Sequence, residues 1–360
     1  MNSGAKNRLI VLDAATPWIW DMLEVLPEDW QAIGCGPVSV GLSLRRWRGA
    51  TNAGHVAVPG WTRMFGISTF LLARQVTALI RDHRPRAIIH VVPWTAGLVD
   101  RFRDIPHVYR PHDYFGMYQW DQRRVQELEL NLTSGCRFVS PITNAQVEDF
   151  SKTRQAPVRL LPNAVSSEFV QRMRGPAPPR PADLPLGRPI VGCVGQINHS
   201  YDIQICASLA DAVGEAQFVY IGPIFNERTT IRKQIDDMLA RPNVTWLGPK
   251  PHNKLPDYLQ HFDICLNPLM SIPANHRRSP LRLFDYLASG RPVLSTSVAA
   301  ASSHLPFVTI GKDSTEMVRC LRDLLSRPTN DDAARRAYVD ANTWNVRARQ
   351  FVTLIDEFCN

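Results

Sequence analysis

Through the second half of the chain short apolar runs recur at 189–194, 217–221, 244–247, 264–268, 292–295 and 307–310, each separated from the next by a helix-length segment. Runs of four to six residues in this alternation predict a parallel sheet wrapped by helices. The first half carries the same pattern less clearly. Strands are expected at 8–12, 87–92, 137–139 and 158–161, with another short one ending at Tyr109, and helices at 67–82 and 122–132. Residues 35–64 fit neither period. Over 345–358, Val346, Phe351, Leu354, Ile355 and Phe358 fall at helical spacing and predict an amphipathic helix.

Between the halves, prolines at 176, 178, 179, 181, 185 and 189 interrupt any regular element. A chain of 360 residues is too long for one ordinary core. The expected organisation is therefore a first domain over 1–174, a proline-rich linker over 175–188, a second domain over 189–343 and a C-terminal helical segment over 344–360. The fold class is α/β, with two Rossmann-like doubly wound domains. Ligands of such sheets bind at the carboxyl ends of the strands, which here predicts a cleft faced by both domains.

Hydrophobic residues make up 44% and charged residues 21%, as in a globular protein rather than a disordered one. The net charge of +8 is uneven: residues 1–180 carry 22 basic and 15 acidic side chains, a balance of +7. That excess suits an anionic partner, and it equally suits a solvated basic surface. Residues 44–48 and 61–65 mix arginine with tryptophan and phenylalanine, as a peripheral contact with an anionic membrane would. Nucleic acid is not expected, because no recognition module is present. Seven scattered cysteines without CxxC or zinc-ligand spacing fit a reducing cytoplasm. No apolar stretch is long enough to span a membrane, and the N-terminus reads as a strand rather than a secretory signal.

The most informative segment is Ser279-Pro-Leu-Arg-Leu-Phe-Asp-Tyr-Leu-Ala-Ser-Gly290. Ser279 suits an N-cap, Pro280 the first helical position and Gly290 the end. The helix N-terminus then follows the strand at 264–268, where free N–H groups and the helix dipole favour a phosphate. Arg282 could add a charge-assisted hydrogen bond, and Asp285, on the same face, could accept the hydroxyls of a ribose. The same residues would also make an ordinary capped amphipathic helix with a solvated arginine.

From Pro189 to Thr296 the chain resembles the nucleotide-binding domain of GT-B glycosyltransferases of the bacterial surface-polysaccharide type, group 1 or xanthan glucuronosyltransferase-like. The resemblance rests on Val194-Gly-Gln-Ile197, Tyr220-Ile-Gly-Pro223, Asn243-Val-Thr-Trp-Leu-Gly248, Leu255-Pro-Asp-Tyr258, Asp263-Ile-Cys-Leu-Asn-Pro268 and the 279–295 segment. Leu160-Leu-Pro-Asn-Ala-Val165 is similar to the end of that family's acceptor domain, and Thr343-Trp344 to the element that crosses back to it. The resemblance implies GT-B architecture and a nucleotide-sugar donor, with UDP-sugar expected. It implies donor contacts from Gly195, Gln196, Lys250, Leu255, Arg277, Ser279, Pro280, Arg282 and Asp285. It also implies a saccharide or lipid-linked saccharide acceptor as partner, and a cytoplasmic protein that could sit peripherally on the cytoplasmic face of the inner membrane.

Retaining relatives carry two glutamates at the positions of Arg277 and Asp285. The first acid is missing here, which brings direct displacement with inversion forward; His276, Arg277 and Arg278 could meet an acidic sugar or form a solvated basic loop. Inversion needs a general base. Asp113 in Tyr109-Arg-Pro-His-Asp-Tyr-Phe115 is the expected base and His112 the next in line; Asp13 also ends a strand. No metal or other cofactor is expected, because cationic groups and helix dipoles can neutralise the leaving diphosphate. Two alternatives stay open: a GT-B-fold nucleotide-sugar epimerase, which needs no acceptor, and a non-catalytic GT-B scaffold.

Overall fold

A computed structural model of the chain describes residues 7–12, 17–35, 65–117, 122–152, 156–225, 229–327 and 333–360. The chain divides into two compact units. The first runs to Asn163 and takes up Trp344–Asn360; the second is Ala164–Thr343.

The first unit holds a five-stranded parallel sheet in the order β2-β1-β3-β4-β5, formed by β1 (Asn7–Val11), β2 (Trp30–Gly34), β3 (Ala87–His90), β4 (His107–Tyr109) and β5 (Phe138–Val139). Ala87, Ile88, Ile89 and His90 are all buried, as expected of a strand covered on both faces. Segment 158–161, expected as a strand, meets the sheet at a bridge between Val139 and Val158, and the Leu161 N–H adds one bond to the Pro141 carbonyl just past β5. Pro141 has no N–H to return, so the pairing does not extend into a ladder. The Trp344–Phe358 helix packs on this unit through Phe358 against Phe138, with ring centres 5.3 Å apart, and an Arg86–Asp356 ion pair at 2.7 Å.

The second unit holds six parallel strands in the order β11-β10-β9-β6-β7-β8: β6 (Ile190–Val194), β7 (Gln217–Ile221), β8 (Val244–Trp246), β9 (Ile264–Asn267), β10 (Val293–Thr296) and β11 (Thr309–Gly311). Both β6 and β7 are buried at all five positions. The proline-rich stretch expected as a linker lies inside this unit, and the boundary falls ahead of it, at Asn163. Side chains on and around it explain why. Phe169, Val170, Met173 and Leu184 are buried in the second core, and the Pro178 carbonyl is hydrogen-bonded by His261 at 3.0 Å.

All seven cysteines are buried and none forms a disulfide. Among the described residues no helix is long and apolar enough to cross a membrane.

Candidate functional site

In the second sheet the winding reverses between β6 and β9, and ligands of open parallel sheets settle at the carboxyl ends beside such a reversal. Two connections leave that point: the turn at Gly195 and Gln196, and the segment from β9 to the helix Leu281–Ser289. Gly195 has φ +124, and a Cβ there would stand 2.7 Å from the Nη2 of Arg282. The guanidinium therefore lies directly on the turn. Gly222, after β7, closes on the same backbone, and a Cβ on it would collide with the Gly195 carbonyl.

Tyr201 holds the arginine from the other side. Arg282 Cζ lies 4.9 Å from the centre of the Tyr201 ring, and its Nη1 donates to the Tyr201 hydroxyl. Burial pushes that phenol well above its usual range, so it stays neutral and can accept. The helix is pinned to the end of β6 as well, since the Tyr286 hydroxyl accepts the Val194 N–H at 2.7 Å.

The helix itself starts one residue later than expected. Pro280, at φ −63 and ψ 117, is the N-cap rather than the first helical residue, and no side chain caps the helix. Ser279 thus stands one position too early to be the N-cap. The first N–H groups, of Leu281 and Arg282, have no acceptor within the helix and no capping oxygen. That leaves an anion-binding end beside Arg282. Gly290, at φ +75, ends the helix as expected.

One turn on, Asp285 is buried, and His252 Nε2 stands 3.3 Å from its carboxylate while its ring stacks on Phe169 at 5.5 Å. Leu255 is buried at the start of the short helix Leu255–Leu259, and Gln196 is half-buried in the Gly195 turn. Lys250 is committed elsewhere. Its ammonium pairs with Asp183 at 2.8 Å above the Tyr258 ring, and Tyr258 donates to the same carboxylate at 3.2 Å. The hydrogen bond from Lys250 holds the Asp183 carboxyl below its usual range. Arg277 turns back to the Pro273 carbonyl at 3.2 Å.

His276, open to reading as a contact for an acidic sugar or as part of a solvated basic loop, joins two loops. Its Nδ1 accepts the Ala299 N–H at 3.1 Å, which places the ring proton on Nε2, 3.2 Å from the Ser271 hydroxyl. Tyr201 and the His252–Asp285 pairing are what the sequence reading missed. A tyrosine six residues after Gly195 carries no local signal, because its role exists only once Arg282 folds over it.

In the first unit, Asp113 is 9% exposed and its Oδ1 accepts the Tyr114 N–H at 2.8 Å. Next to it, His112 Nδ1 donates to the Val91 carbonyl at 3.0 Å. A neutral His112 therefore carries its proton on Nδ1 and its lone pair on Nε2. Asp13 and all of 44–65 except Phe65 lie outside the described residues, as does the side chain of Phe65. Among the described residues no group of three or more His, Cys, Asp or Glu side chains could hold a metal ion.

A parallel α/β unit thus brings together an uncapped helix end, an arginine on a glycine turn and a buried aspartate one turn away. Residues 188–327 match the model of the family described as glycosyl transferases group 1, so the chain contains a domain of that family. It is 25% identical over 234 residues, 63% of this chain, to a Bacillus subtilis (strain 168) protein named for a glycosyltransferase role in teichuronic acid biosynthesis. The alignment takes in 53% of that protein, so the chain spans about half the length of the curated relative it matches.

Solved structures agree along nearly the whole chain. A trehalose-phosphate synthase (UDP-forming) of Burkholderia vietnamiensis has a TM-score of 0.74 at 15% identity, with 98% of this chain and 99% of that one covered. A sucrose-phosphate synthase of Thermosynechococcus elongatus gives 0.73 at 13%, over 98% and 99%. Anabaena HepE in complex with UDP and glucose gives 0.71 at 13%, over 96% and 98%. At these identities the likeness establishes the fold, which is GT-B.

Proposed function

We propose that this chain moves a sugar from a UDP-sugar to a saccharide or lipid-linked saccharide acceptor in bacterial polysaccharide synthesis, with inversion at the transferred carbon. The observation that carries this reading is the Arg282 guanidinium seated on the Gly195 turn, beside an uncapped helix end and one turn from Asp285. The arginine and the N–H groups of Leu281 and Arg282 receive the diphosphate, and Asp285 accepts the ribose hydroxyls. The UDP held by HepE and the role for which the Bacillus subtilis relative is named support the donor and the pathway class.

In the transfer the acceptor oxygen bonds to the sugar carbon, the bond from that carbon to the diphosphate oxygen breaks, and its electron pair leaves on the diphosphate. Arg282 and the helix end compensate that charge, so transfer proceeds without an added divalent cation. The acceptor's proton goes to a base among His112 and Asp113. Asp113 is the sequence's candidate, while the Nδ1–H bond to Val91 favours His112, whose Nε2 then carries the accepting lone pair.

The test is UDP release from UDP-sugars with saccharide acceptors, in the presence of a chelator, for wild type, Asp113→Asn and His112→Ala. Removing the base lowers the rate by about 10² to 10⁴ with donor affinity retained. Near-normal turnover in both variants removes the pair from the chemistry. Donor conversion that needs no acceptor points to an epimerase instead.

A further inference from the structure

At the carboxyl end of the first unit's sheet, Arg110 directly follows β4 and Ser140 directly follows β5. Arg110 is 2% exposed; its Nη1 donates to the Ser140 carbonyl at 3.0 Å, and its Nε is buried without an acceptor. The Ser140 hydroxyl is buried and unpartnered too. Arg347, from the start of the Trp344–Phe358 helix, is 6% exposed and gives its Nε to the Pro162 carbonyl at 3.1 Å and its Nη1 to Gln350 at 2.9 Å. Burial, with the charge of Arg347 behind it, pulls the Arg110 guanidinium down to about 9.

No carboxylate pairs with Arg110 among the described residues. A buried guanidinium answered by a single carbonyl, with the charge of a second buried arginine acting on it, is a costly arrangement for a fold to keep on structural grounds alone. Guanidinium groups are shaped for oxyanions, and two of them match the double charge of a phosphate dianion, which a single carboxylate does not. The Ser140 hydroxyl supplies a third donor. Ligands of parallel sheets bind at this edge, and His112 and Asp113 follow Arg110 by two and three residues.

We propose that Arg110, Ser140 and Arg347 bind a phosphoryl group carried by the sugar acceptor. Only the word acceptor rests on the transferase reading above; the phosphoryl site itself does not. Solvent does not reach the Arg110 Nε or the Ser140 hydroxyl, so entry requires the Pro162 segment or the first turn of the C-terminal helix to move aside.

The test measures melting temperature and calorimetric affinity of the full chain saturated with UDP, so that the second unit's anion site is filled. The probes are inorganic phosphate, glucose 6-phosphate, decyl phosphate and glucose, at matched ionic strength. Inorganic phosphate and at least one phosphate ester raise the melting temperature of wild type, and glucose does not; the tighter ester tells whether the phosphate is borne by a sugar or a lipid. Arg110→Met abolishes the shift, and Ser140→Ala, which removes a single oxygen, weakens binding about tenfold, the size of one hydrogen bond to a charged group. No response of wild type to phosphate or either ester overturns the proposal. So does an undiminished response in both variants, or an Arg110→Met protein that melts above wild type while wild type ignores phosphate, the mark of a purely structural arginine. The UDP shift of wild type is read in the same series, so a failure of the donor reading shows separately.

Discussion

Arg282 is fixed at three points: the Gly195 turn against its face, the Tyr201 ring beneath it and the Tyr201 hydroxyl at its Nη1. A flexible side chain loses rotamer freedom when it binds a ligand, and an arginine already fixed loses less. Tyr201→Phe keeps the ring and removes only the hydrogen bond, so UDP affinity should fall about tenfold with the fold intact. Gly195→Ala puts a methyl where the guanidinium lies, at a backbone angle alanine resists, and should cost at least as much. Wild-type UDP affinity in both variants would show that the arginine's placement does not matter. At this scale Gly195, Arg282 and Asp285 could be singled out from local patterns alone, and the contact of Arg282 with the Gly195 turn is what the structure adds. The partners of Lys250 and His276, Asp183 and the Ala299 N–H, were not legible because they come from distant segments.

Elements were easiest to read where both faces are covered. Runs such as Ile190–Val194 are continuously apolar because helices bury them from both sides, and the sequence shows this directly. The proline-rich segment misled, since composition says that it cannot be helix or strand but not that Leu184 and Asp183 tie it to a core. Another element-scale feature is a set of buried histidines. His90 Nε2 lies 2.8 Å from His107 Nδ1, and His107 Nε2 donates to the Phe102 carbonyl at 3.1 Å.

Burial lowers the pKa of both rings, His90 well below the usual value with the neighbouring His107 adding to it, and lowers His304 to about 4. The unfolded chain titrates near 6.5, so below that pH it binds protons that the folded chain refuses. The stability from keeping these rings neutral is therefore full above pH 6.5 and is lost as pH falls, for His304 down to about 4. Each unit of separation is worth about 1.4 kcal/mol. Urea unfolding should give a lower stability at pH 5 than at pH 7, with a smaller drop in His304→Asn. Equal stability of wild type at the two pH values would contradict this.

For the whole molecule, the two parallel sheets carry different strand orders, and the second unit holds Arg282 on the Gly195 turn, beside the uncapped helix end and one turn from Asp285. The proposed nucleotide site therefore lies in the second unit, where Arg282 would meet the diphosphate. Binding to the native state alone raises stability by about 2.7 kcal/mol at a hundredfold excess of ligand over its Kd. The most direct measurement is calorimetric titration of UDP into wild type and Arg282→Ala, with uridine as the control that lacks the diphosphate. The account predicts that UDP binds wild type, that the variant binds it on the order of 10- to 100-fold more weakly, and that uridine hardly distinguishes the two proteins. No binding of UDP to wild type, or equal UDP affinity in both proteins, would contradict it.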